Sequence, residues 1–584
     1  MVVTVDVKLG ESVLDGLNES QKEAAATLNG PVLVVAGPGT GKTLTIVRRI
    51  AALIEEGIRA ENIVAVTFTN RAAREMQERV FALLGKRSEG VFIGTLHLLG
   101  LVIARENAPD GLTIVNRDEQ MDILKSVARG RGGKIEEVAD AISRKKGMIQ
   151  DLGDGMKDVY EAYQSALRKN GRADFDDLIA IPIGLLEDAI LLDGYRDRFR
   201  HIIVDEFQDI NPAQYKLLTL LSGDQQNLCA VGDPDQAIYA FRGADVGCFL
   251  DFERDFAKTT RIILTENYRS SGTILEGSST MIRHNRRRVD KNVHTAREGG
   301  NRIKIVSVPD ERAEGEFIVG EIEARIGGTS HFRLMGSRHD TGFPRASYGF
   351  SDFAVVYRTN AQARMVEDAF ASSGIPYQVI GRYSTGKRRE MADILSRLRC
   401  FGAVIDGVTP LRSLPAKDFI EWALRESDLN DEGGGETRKA ITGLLEAVGA
   451  GGTAADFLNE VCLLTPADDF DPRADAVVLM TIHMTKGLEF GVVFVTGAED
   501  GLMPYRRPGK QGDVEEERRL LYVAMTRAKE ELFLIHARRR SMFGKREHRS
   551  PSPFLKEIGD EFTKVHVVPD RETRQRKNGQ MKLF

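Results

Sequence analysis

A glycine-rich segment near the start of the chain combines residue types that could bind phosphate. It reads Val32-Leu-Val-Val-Ala-Gly-Pro-Gly-Thr-Gly-Lys-Thr43, an apolar strand followed by a glycine turn and the start of a helix. Glycines let backbone N–H groups curl around phosphate oxygens, and the positive end of the helix dipole favours the same anion. The pattern predicts a nucleotide-binding loop made of Ala36, Gly37, Pro38, Gly39, Thr40, Gly41, Lys42 and Thr43.

A second segment, His201 to Asp209, supplies carboxylates. Its apolar residues predict a strand that ends in Asp205-Glu206, at the edge of a sheet where α/β proteins bind ligands. Asp205 suits Mg²⁺ together with the Thr43 hydroxyl, while Glu206 suits orienting or deprotonating an attacking water. Such an acidic pair is commonly just a solvated strand end. Beside a loop whose Lys42 reaches the β- and γ-phosphates, it indicates hydrolysis of ATP with Mg²⁺.

Parallel sheets would position these loops. Short runs rich in Val and Ile recur along the chain, each followed by turn residues and a helical pattern, which indicates α/β cores covered on both faces. The runs of the first half are Val32–Val35, Ile63–Phe68, Val91–Ile93, Ile202–Val204, Leu228–Val231 and Ile262–Leu264. Those of the second half are Ile303–Val306, Phe353–Tyr357, Val477–Ile482, Val492–Val495 and Leu532–Ile535. We therefore expect two cores.

Two long segments that read as mostly helical interrupt this alternation and predict an insertion into each core. The predicted division is 1–100 and 190–272 for the first core, 101–189 for its helical insertion, 273–387 and 475–568 for the second core, 388–474 for its helical insertion, and 569–584 for a flexible basic tail. Residues 327–351, rich in Gly, Ser, His and Arg, predict a surface loop.

Composition narrows the class of protein. The 584 residues carry a net charge of −5, so a nucleic-acid site would have to be a local channel rather than a basic coat. The cysteines at 229, 248, 400 and 462 are too scattered for a zinc ribbon, which favours a reducing compartment. No apolar run is long enough to cross a membrane, and the N-terminus lacks the pattern of a signal peptide. We expect a cytoplasmic protein without a membrane partner.

Further motifs follow one another in a fixed order. They are Leu17–Gln21, Val66–Met76, Gly94–His97, Val231–Ala244, Leu264–Ser271, Tyr357–Asn360, Met480–Phe490 and Glu516–Ala528. Together with the two segments above, they resemble the motifs of superfamily 1 helicases of the UvrD/Rep/PcrA type, from Leu17 to about Ile558. The resemblance implies two RecA-like cores of the P-loop class, each with an inserted subdomain, ATP between them and 3′→5′ movement along DNA. The second insertion looks shortened relative to the longer members.

The same resemblance assigns residues to the nucleotide. Gln21 would read the adenine, Tyr268 would stack on it, and Gln236 would sense the γ-phosphate. Arg269 and Arg527 would act as arginine fingers, with Gly487 and Glu489 touching the nucleotide from the second core. A finger from another domain stabilises the transition state only in a closed cleft, which couples hydrolysis to domain movement. The alternative for Arg269 is a surface salt bridge.

A track for single-stranded DNA should be aromatic as well as basic, because bases stack on aromatic rings without sequence preference. The resemblance assigns this track to Phe68, Asn70, Thr95, His97, Tyr239, Phe241 and Arg242. Aromatic residues beside strand ends are otherwise ordinary core residues. Phe241 replaces the Trp common in relatives, and Leu44 stands where relatives often carry a basic residue near the adenine.

The last residues contain a further short pattern. Gln580, Leu583 and Phe584 resemble the Gln-x-x-Leu-Phe peptide by which replication proteins bind sliding clamps. A frayed terminus without a partner is the alternative.

These observations favour a 3′→5′ DNA translocase and helicase that acts on single-stranded and 3′-tailed DNA in repair, replication restart or recombination. Two alternatives stay open: a motor that strips proteins from DNA, and the motor subunit of a helicase–nuclease complex. A small-molecule kinase is excluded because one P-loop core would suffice for it.

Overall fold

Two parallel β-sheets organise the molecule. A computed structural model describes residues 13–108, 112–128, 134–223, 226–297, 299–327, 348–381, 404–405, 409–410, 414–419, 421, 453–463, 466–506, 512–542 and 545–570. The α/β class with two parallel-sheet cores is confirmed. None of the helices within these residues is long and apolar enough to cross a membrane.

The first sheet carries the phosphate-binding loop. Its strands are β1 (Val32–Ala36), β2 (Ile63–Thr67), β3 (Phe92–Thr95), β6 (His201–Val204), β7 (Leu228–Gly232) and β8 (Thr260–Leu264). They lie in the order β3-β2-β6-β7-β1-β8, and every pairing is parallel. Four of the central strands are buried at every residue, which explains their unbroken apolar runs. The carboxyl ends of β1 and β6 therefore meet at one edge.

Helices cover both faces of this sheet. They are α1 (Glu19–Ala26), α2 (Lys42–Glu55), α3 (Asn70–Leu84), α4 (Leu96–Glu106), α9 (Ala189–Arg198), α10 (Pro212–Ser222), α11 (Gly247–Leu250) and α12 (Phe252–Asp255). Asn18 caps α1 in a reciprocal box with Gln21, which fixes the Gln21 side chain at the start of that helix.

The residues of the predicted first insertion are mostly helical. They comprise α5 (Arg117–Val127), α6 (Ile135–Lys146), α7 (Asp154–Lys169) and α8 (Asp177–Leu185), with a small parallel sheet of β4 (Thr113–Ile114) and β5 (Arg172–Ala173). Lys146 is buried and forms ion pairs with Asp174 (2.6 Å) and Asp177 (2.7 Å), which joins α6 to the start of α8. The division of the chain into cores and insertions stays a prediction.

The second sheet contains eight strands. They are β11 (Ile303–Asp310), β12 (Phe353–Tyr357), β13 (Tyr377–Val379), β16 (Val477–Thr481), β17 (Phe490–Val495), β18 (Ala528–Met542), β19 (Lys545–His548) and β20 (Thr563–Val567). Their order is β13-β16-β12-β17-β18-β11-β20, and β19 pairs antiparallel with β18. The helices beside it are α13 (Gly272–Ile282), α14 (Glu311–Ile326), α15 (Asn360–Ser373) and α17 (Val514–Met525).

The remaining strands form two small sheets. β9 (Glu266–Asn267) pairs with β10 (His294–Thr295), and β14 (Val404–Ile405) pairs with β15 (Thr409–Pro410). α16 (Ala454–Cys462) also lies in the sequence of the predicted second insertion. The surface loop expected at 327–351 falls largely outside the described residues, at 328–347, and so does the tail with Gln580, Leu583 and Phe584.

Candidate nucleotide cleft and nucleic-acid site

The phosphate-binding loop depends on glycine at two positions. Gly39 and Gly41 adopt left-handed backbone angles, with φ of +68° and +81°. A Cβ on Gly39 would lie 2.6 Å from Cβ of Arg269, and a Cβ on Gly41 would lie 2.6 Å from Nε2 of Gln21. The loop between β1 and α2 therefore accepts only glycine at these points, and its neighbours are predicted nucleotide-binding residues.

The Lys42 side chain folds back over the loop. Its Nζ donates hydrogen bonds to the carbonyl oxygens of Ala36 (3.2 Å) and Gly37 (3.3 Å). Thr43 follows in the first turn of α2 and lines the same cleft as Asp205. A hydroxyl and a carboxylate are oxygen donors of the kind Mg²⁺ prefers, so this pair fits the predicted metal once phosphate oxygens complete its shell.

The two carboxylates at the end of β6 differ in pKa. Burial and the neighbouring Glu206 raise the pKa of Asp205 to about 7. Burial would raise the pKa of Glu206 as well, but Lys486 and Lys42 lower it to about 2, so Glu206 carries the negative charge. Glu206 also has a positive φ of 56°, which is uncommon outside glycine and frequent at functional sites. Thr67 Oγ1 approaches Oδ2 of Asp205 at 3.4 Å.

Both cores line one cleft of about 910 Å³. From the second core, Arg527 Nη2 donates to Oε1 of Gln236 at 3.2 Å. Arg269 forms an ion pair with Glu489 (2.7 Å) and donates to the carbonyl oxygen of Thr526 (3.2 Å). Burial and the positive charge of Arg269 lower the pKa of Arg527 to about 9, so an anion between these groups would be strongly stabilised. The predicted finger Arg527 thus contacts the predicted γ-phosphate sensor, whereas Arg269 is engaged by Glu489 and Thr526.

The adenine side of the cleft is built around α1 and β9. Gln21 Nε2 donates to the carbonyl oxygen of Thr40 (3.0 Å), so the predicted adenine reader also braces the phosphate loop. Tyr268 is 50% exposed, and its hydroxyl accepts a hydrogen bond from Asn18 Nδ2 (2.9 Å). Its ring is therefore free to stack on a base. Gly487 and Glu489 line the cleft from the opposite core.

Lys486 is a cleft residue that motif reasoning missed. Its side chain is buried and forms ion pairs with Glu206 (3.2 Å) and with Asp209. Burial lowers its pKa to about 8. It extends to the first core from the segment that carries Gly487. The sequence signal that could have identified it as a cleft residue is its position directly before that glycine.

An aromatic cluster forms part of the lining of the same cleft. Phe68 and Tyr239 stack with their centroids 4.5 Å apart, and both line the cleft. Phe241 is 64% exposed. His483 from the second core meets Phe241 edge-on at 5.0 Å, and the Arg242 guanidinium lies 5.7 Å from the same ring. The cluster joins both cores and offers an exposed ring beside a cation, which suits stacking of single-stranded bases.

Tyr239 requires a correction, because its expected role as a base-stacking ring needs an exposed face. It is 5% exposed, and its hydroxyl donates to the carbonyl oxygen of His483 at 3.0 Å. The Phe68 ring covers one of its faces. Tyr239 therefore supports Phe68 and connects the cores, and Phe241 is the exposed ring.

Three other predicted DNA contacts are engaged within the protein. His97 stacks on Phe175 at 3.9 Å, and burial lowers its pKa to about 3. Asn70 Nδ2 donates to the carbonyl oxygen of Leu463 (2.9 Å), and Thr95 Oγ1 accepts from the backbone N–H of Leu98 as the cap of α4. None of these bonds excludes contact with DNA, but they show that each residue also has a structural task.

Comparisons with known proteins agree with this geometry. The family description of the UvrD/REP helicase N-terminal domain matches residues 17–257, and that of the UvrD-like helicase C-terminal domain matches 262–419 and 419–539. The ATP-dependent DNA helicase PcrA of Staphylococcus aureus is 32% identical over 97% of this chain and 89% of its own length. PcrA of Staphylococcus epidermidis is 32% identical over 96% of this chain and 89% of its own length.

Proposed function

The chain belongs to the UvrD/Rep family of DNA helicases, and we propose that it moves 3′→5′ along single-stranded DNA at the expense of ATP. As a member of this family it is an ATP-dependent DNA helicase, with DNA as its substrate. The direction of movement and its use in repair, replication restart or recombination are proposals.

One observation carries the proposal. A single cleft is lined by Lys42 and Glu206 of the first core, by Arg527 of the second, and by the aromatic rings of Phe68 and Tyr239. A nucleotide bound at Lys42 therefore lies in the same crevice as a strand bound at these rings. Closing the cleft would change the nucleotide site and the strand-binding site in the same movement. ATP hydrolysis would thereby be coupled to movement along DNA, as a motor requires.

The residues of the cleft divide the work of hydrolysis between the cores. Lys42 and the loop amides would bind the phosphates, and Glu206 would orient the attacking water. Arg269 and Arg527 would stabilise the charge that develops on the transferred phosphoryl group, and Gln236 would hold its amide against that group. Mg²⁺, held by Thr43 and Asp205, would supply charge neutralisation at the phosphates.

Movement along the strand would follow from the shared rings. Phe241 would receive a base, Phe68 on Tyr239 would form the next platform, and Arg242 would contact the backbone. Because His483 of the second core touches Phe241, a shift between the cores changes the space beside that ring.

A strand-separation assay tests the direction. Duplexes with a 3′ tail, a 5′ tail or no tail are mixed with the protein and ATP, and the release of a labelled strand is followed. We expect release from the 3′-tailed duplex alone. Preference for the 5′ tail would refute the direction, and ATP hydrolysis with displacement of a DNA-bound protein but without strand release would favour the remodelling alternative.

The sliding-clamp contact is a separate proposal. It rests on the sequence of Gln580, Leu583 and Phe584. Deleting Gln580–Phe584 should abolish binding to a sliding clamp while ATP hydrolysis stays unchanged. Equal clamp binding by the full and shortened chains would end the proposal.

A further inference from the structure

The segment between α13 and β11 crosses from the second core to the first. At its start, Asn285 Nδ2 donates to the carbonyl oxygen of Glu515 (3.0 Å), and Arg519 Nη2 donates to the carbonyl oxygen of Arg287 (3.1 Å). Both partners lie on α17 of the second core. We call Asn285–Arg297 the crossing segment.

The far end of the crossing segment lies on the first core. The backbone N–H of His294 donates to the carbonyl oxygen of Thr265 (2.8 Å), where β10 pairs with β9. A Cβ built on Gly37 would lie 3.0 Å from Cγ2 of Val293, so this segment rests directly on the phosphate-binding loop. One short stretch of chain therefore contacts α17 and the nucleotide loop.

A buried charge cluster anchors its middle. The Lys291 side chain is 3% exposed and forms ion pairs with Asp235 (2.8 Å) and with Asp233, whose side chains are both fully buried. Arg288 makes a second ion pair with Asp235 at 3.0 Å. Burial alone would lower the pKa of Lys291, but the two carboxylates raise it, so the lysine is charged at neutral pH.

The two carboxylate oxygens of Asp233 accept hydrogen bonds from different donors, one from this lysine and one from a residue of the cleft. Its Oδ1 accepts from Lys291, and its Oδ2 accepts from Nε2 of Gln236 at 2.8 Å. With Nε2 held in this way, Oε1 of Gln236 points to Arg527, which donates to it at 3.2 Å. The chain of contacts runs from Lys291 through Asp233 and Gln236 to a predicted arginine finger.

A buried ion pair can be purely structural, since such pairs are weak evidence for any particular role. Here the same carboxylate orients an amide of the cleft, which a structural pair would not need to do. Arg288 already pairs with the Asp235 carboxylate, so Lys291 is the cation that neutralises Asp233.

We propose that Lys291 is a positioning residue for ATP hydrolysis, which through Asp233 fixes the Gln236 amide against Arg527 when the crossing segment is docked on the first core. The inference rests on the proposed role of Gln236 as sensor of the γ-phosphate. It extends the hydrolytic site to a lysine outside the recognised motifs.

A double-mutant cycle on the DNA-stimulated ATPase tests it. Lys291→Met should lower kcat about 10-fold, the effect of losing one oriented hydrogen bond, with KM for ATP changed less than about 2-fold. In a Gln236→Ala background the same substitution should have no further effect on kcat. Lys304→Met, which breaks an ion pair with Glu531 inside the second sheet, is the matched control and should leave kcat unchanged.

The outcomes separate the two proposals. If Gln236→Ala leaves kcat unchanged, the proposed role of Gln236 is wrong and the inference falls with it. If Gln236→Ala lowers kcat but Lys291→Met does not, or if the two losses simply multiply, the positioning role alone is refuted. Should Lys291→Met fold poorly, Asp233→Leu combined with Lys291→Met removes both charges together with the oxygen that accepts from Gln236, and we expect the same loss of kcat; an unchanged kcat would refute the positioning role.

Discussion

The nucleotide cleft and the aromatic cluster lie in one crevice, yet they are built differently. In the cleft, Lys42, Glu206 and Arg527 all line the same space, each from the end of a regular element. In the aromatic cluster, Phe241 is 64% exposed while Tyr239 is 5% exposed and bonded to the opposite core. The nucleotide cleft consists of groups directed at a ligand, whereas the aromatic cluster consists of one exposed ring supported by less exposed rings.

The difference reflects how each ligand is bound. Phosphate is bound by backbone amides and point charges, whose positions follow from a strand, a glycine loop and a helix. A base is bound by the face of a ring, and whether a face is open depends on everything packed around it. Local sequence therefore determines the first region more directly than the second.

The largest effect is expected from Lys42→Ala. Loss of the cation that reaches the phosphates should reduce DNA-stimulated ATPase activity by roughly 10³-fold or more. Lys125→Ala, an exposed lysine of the first insertion, is the control and should behave as the unchanged protein. Near-normal turnover by Lys42→Ala would mean that the glycine loop is not the phosphate site.

The second largest effect on ATPase activity is expected from Arg527→Ala. Removing a finger from the second core should lower kcat by about 10³-fold, while binding of ATP to the first core is largely kept. Steady-state kinetics with and without single-stranded DNA, together with binding of a fluorescent nucleotide, separate the two effects. Retained activity would show that the second core takes no part in hydrolysis. The contrast between the nucleotide cleft and the aromatic cluster would then no longer hold.

The aromatic cluster offers an intermediate effect. Phe241→Ala should weaken single-stranded DNA binding by about 1–3 kcal/mol, since an exposed stacking surface is lost. Tyr239→Phe removes only the hydroxyl that donates to His483, so DNA affinity should stay within about 2-fold and the free energy of unfolding should drop by roughly 1 kcal/mol. Fluorescence anisotropy measures the DNA affinity, and urea unfolding measures the free energy of unfolding. Unchanged DNA affinity in Phe241→Ala would contradict its assignment as the exposed stacking ring.

The smallest effect concerns pH. Burial lowers the pKa of His97 to about 3, whereas the unfolded residue takes up a proton below about pH 6.5. The unfolded state therefore binds more protons across this window, and stability falls as the pH falls. Between about pH 7.5 and about pH 5.5 the contribution of His97 is roughly 1 kcal/mol.

His97→Phe should keep the stack on Phe175 and lose that part of the acid sensitivity. His548→Phe, on the exposed strand β19, is the control and should not change it. Urea unfolding at the two pH values checks the difference. If His97→Phe were as acid-sensitive as the unchanged protein, His97 would titrate freely and would be available to DNA.

Much of the fold and of the cleft could be predicted because short-range rules determine them. Gly39 adopts the positive φ that such a loop requires, and continuous apolar runs such as Val32–Ala36 are typical of buried strands between helices. Tyr239 could not be assigned, since its burial comes from the Phe68 ring and the carbonyl oxygen of His483, 244 residues away. Lys291 was missed for the same reason, because its partner Asp233 lies 58 residues earlier in the chain.

The most direct test is a structure of the protein with a non-hydrolysable ATP analogue, Mg²⁺ and single-stranded DNA. We expect phosphates bound by the glycine loop and Lys42, with Arg269 and Arg527 both within hydrogen-bond distance of the γ-phosphate and a base on Phe241. A nucleotide contacted by the first core alone, with Arg527 directed elsewhere, would contradict it.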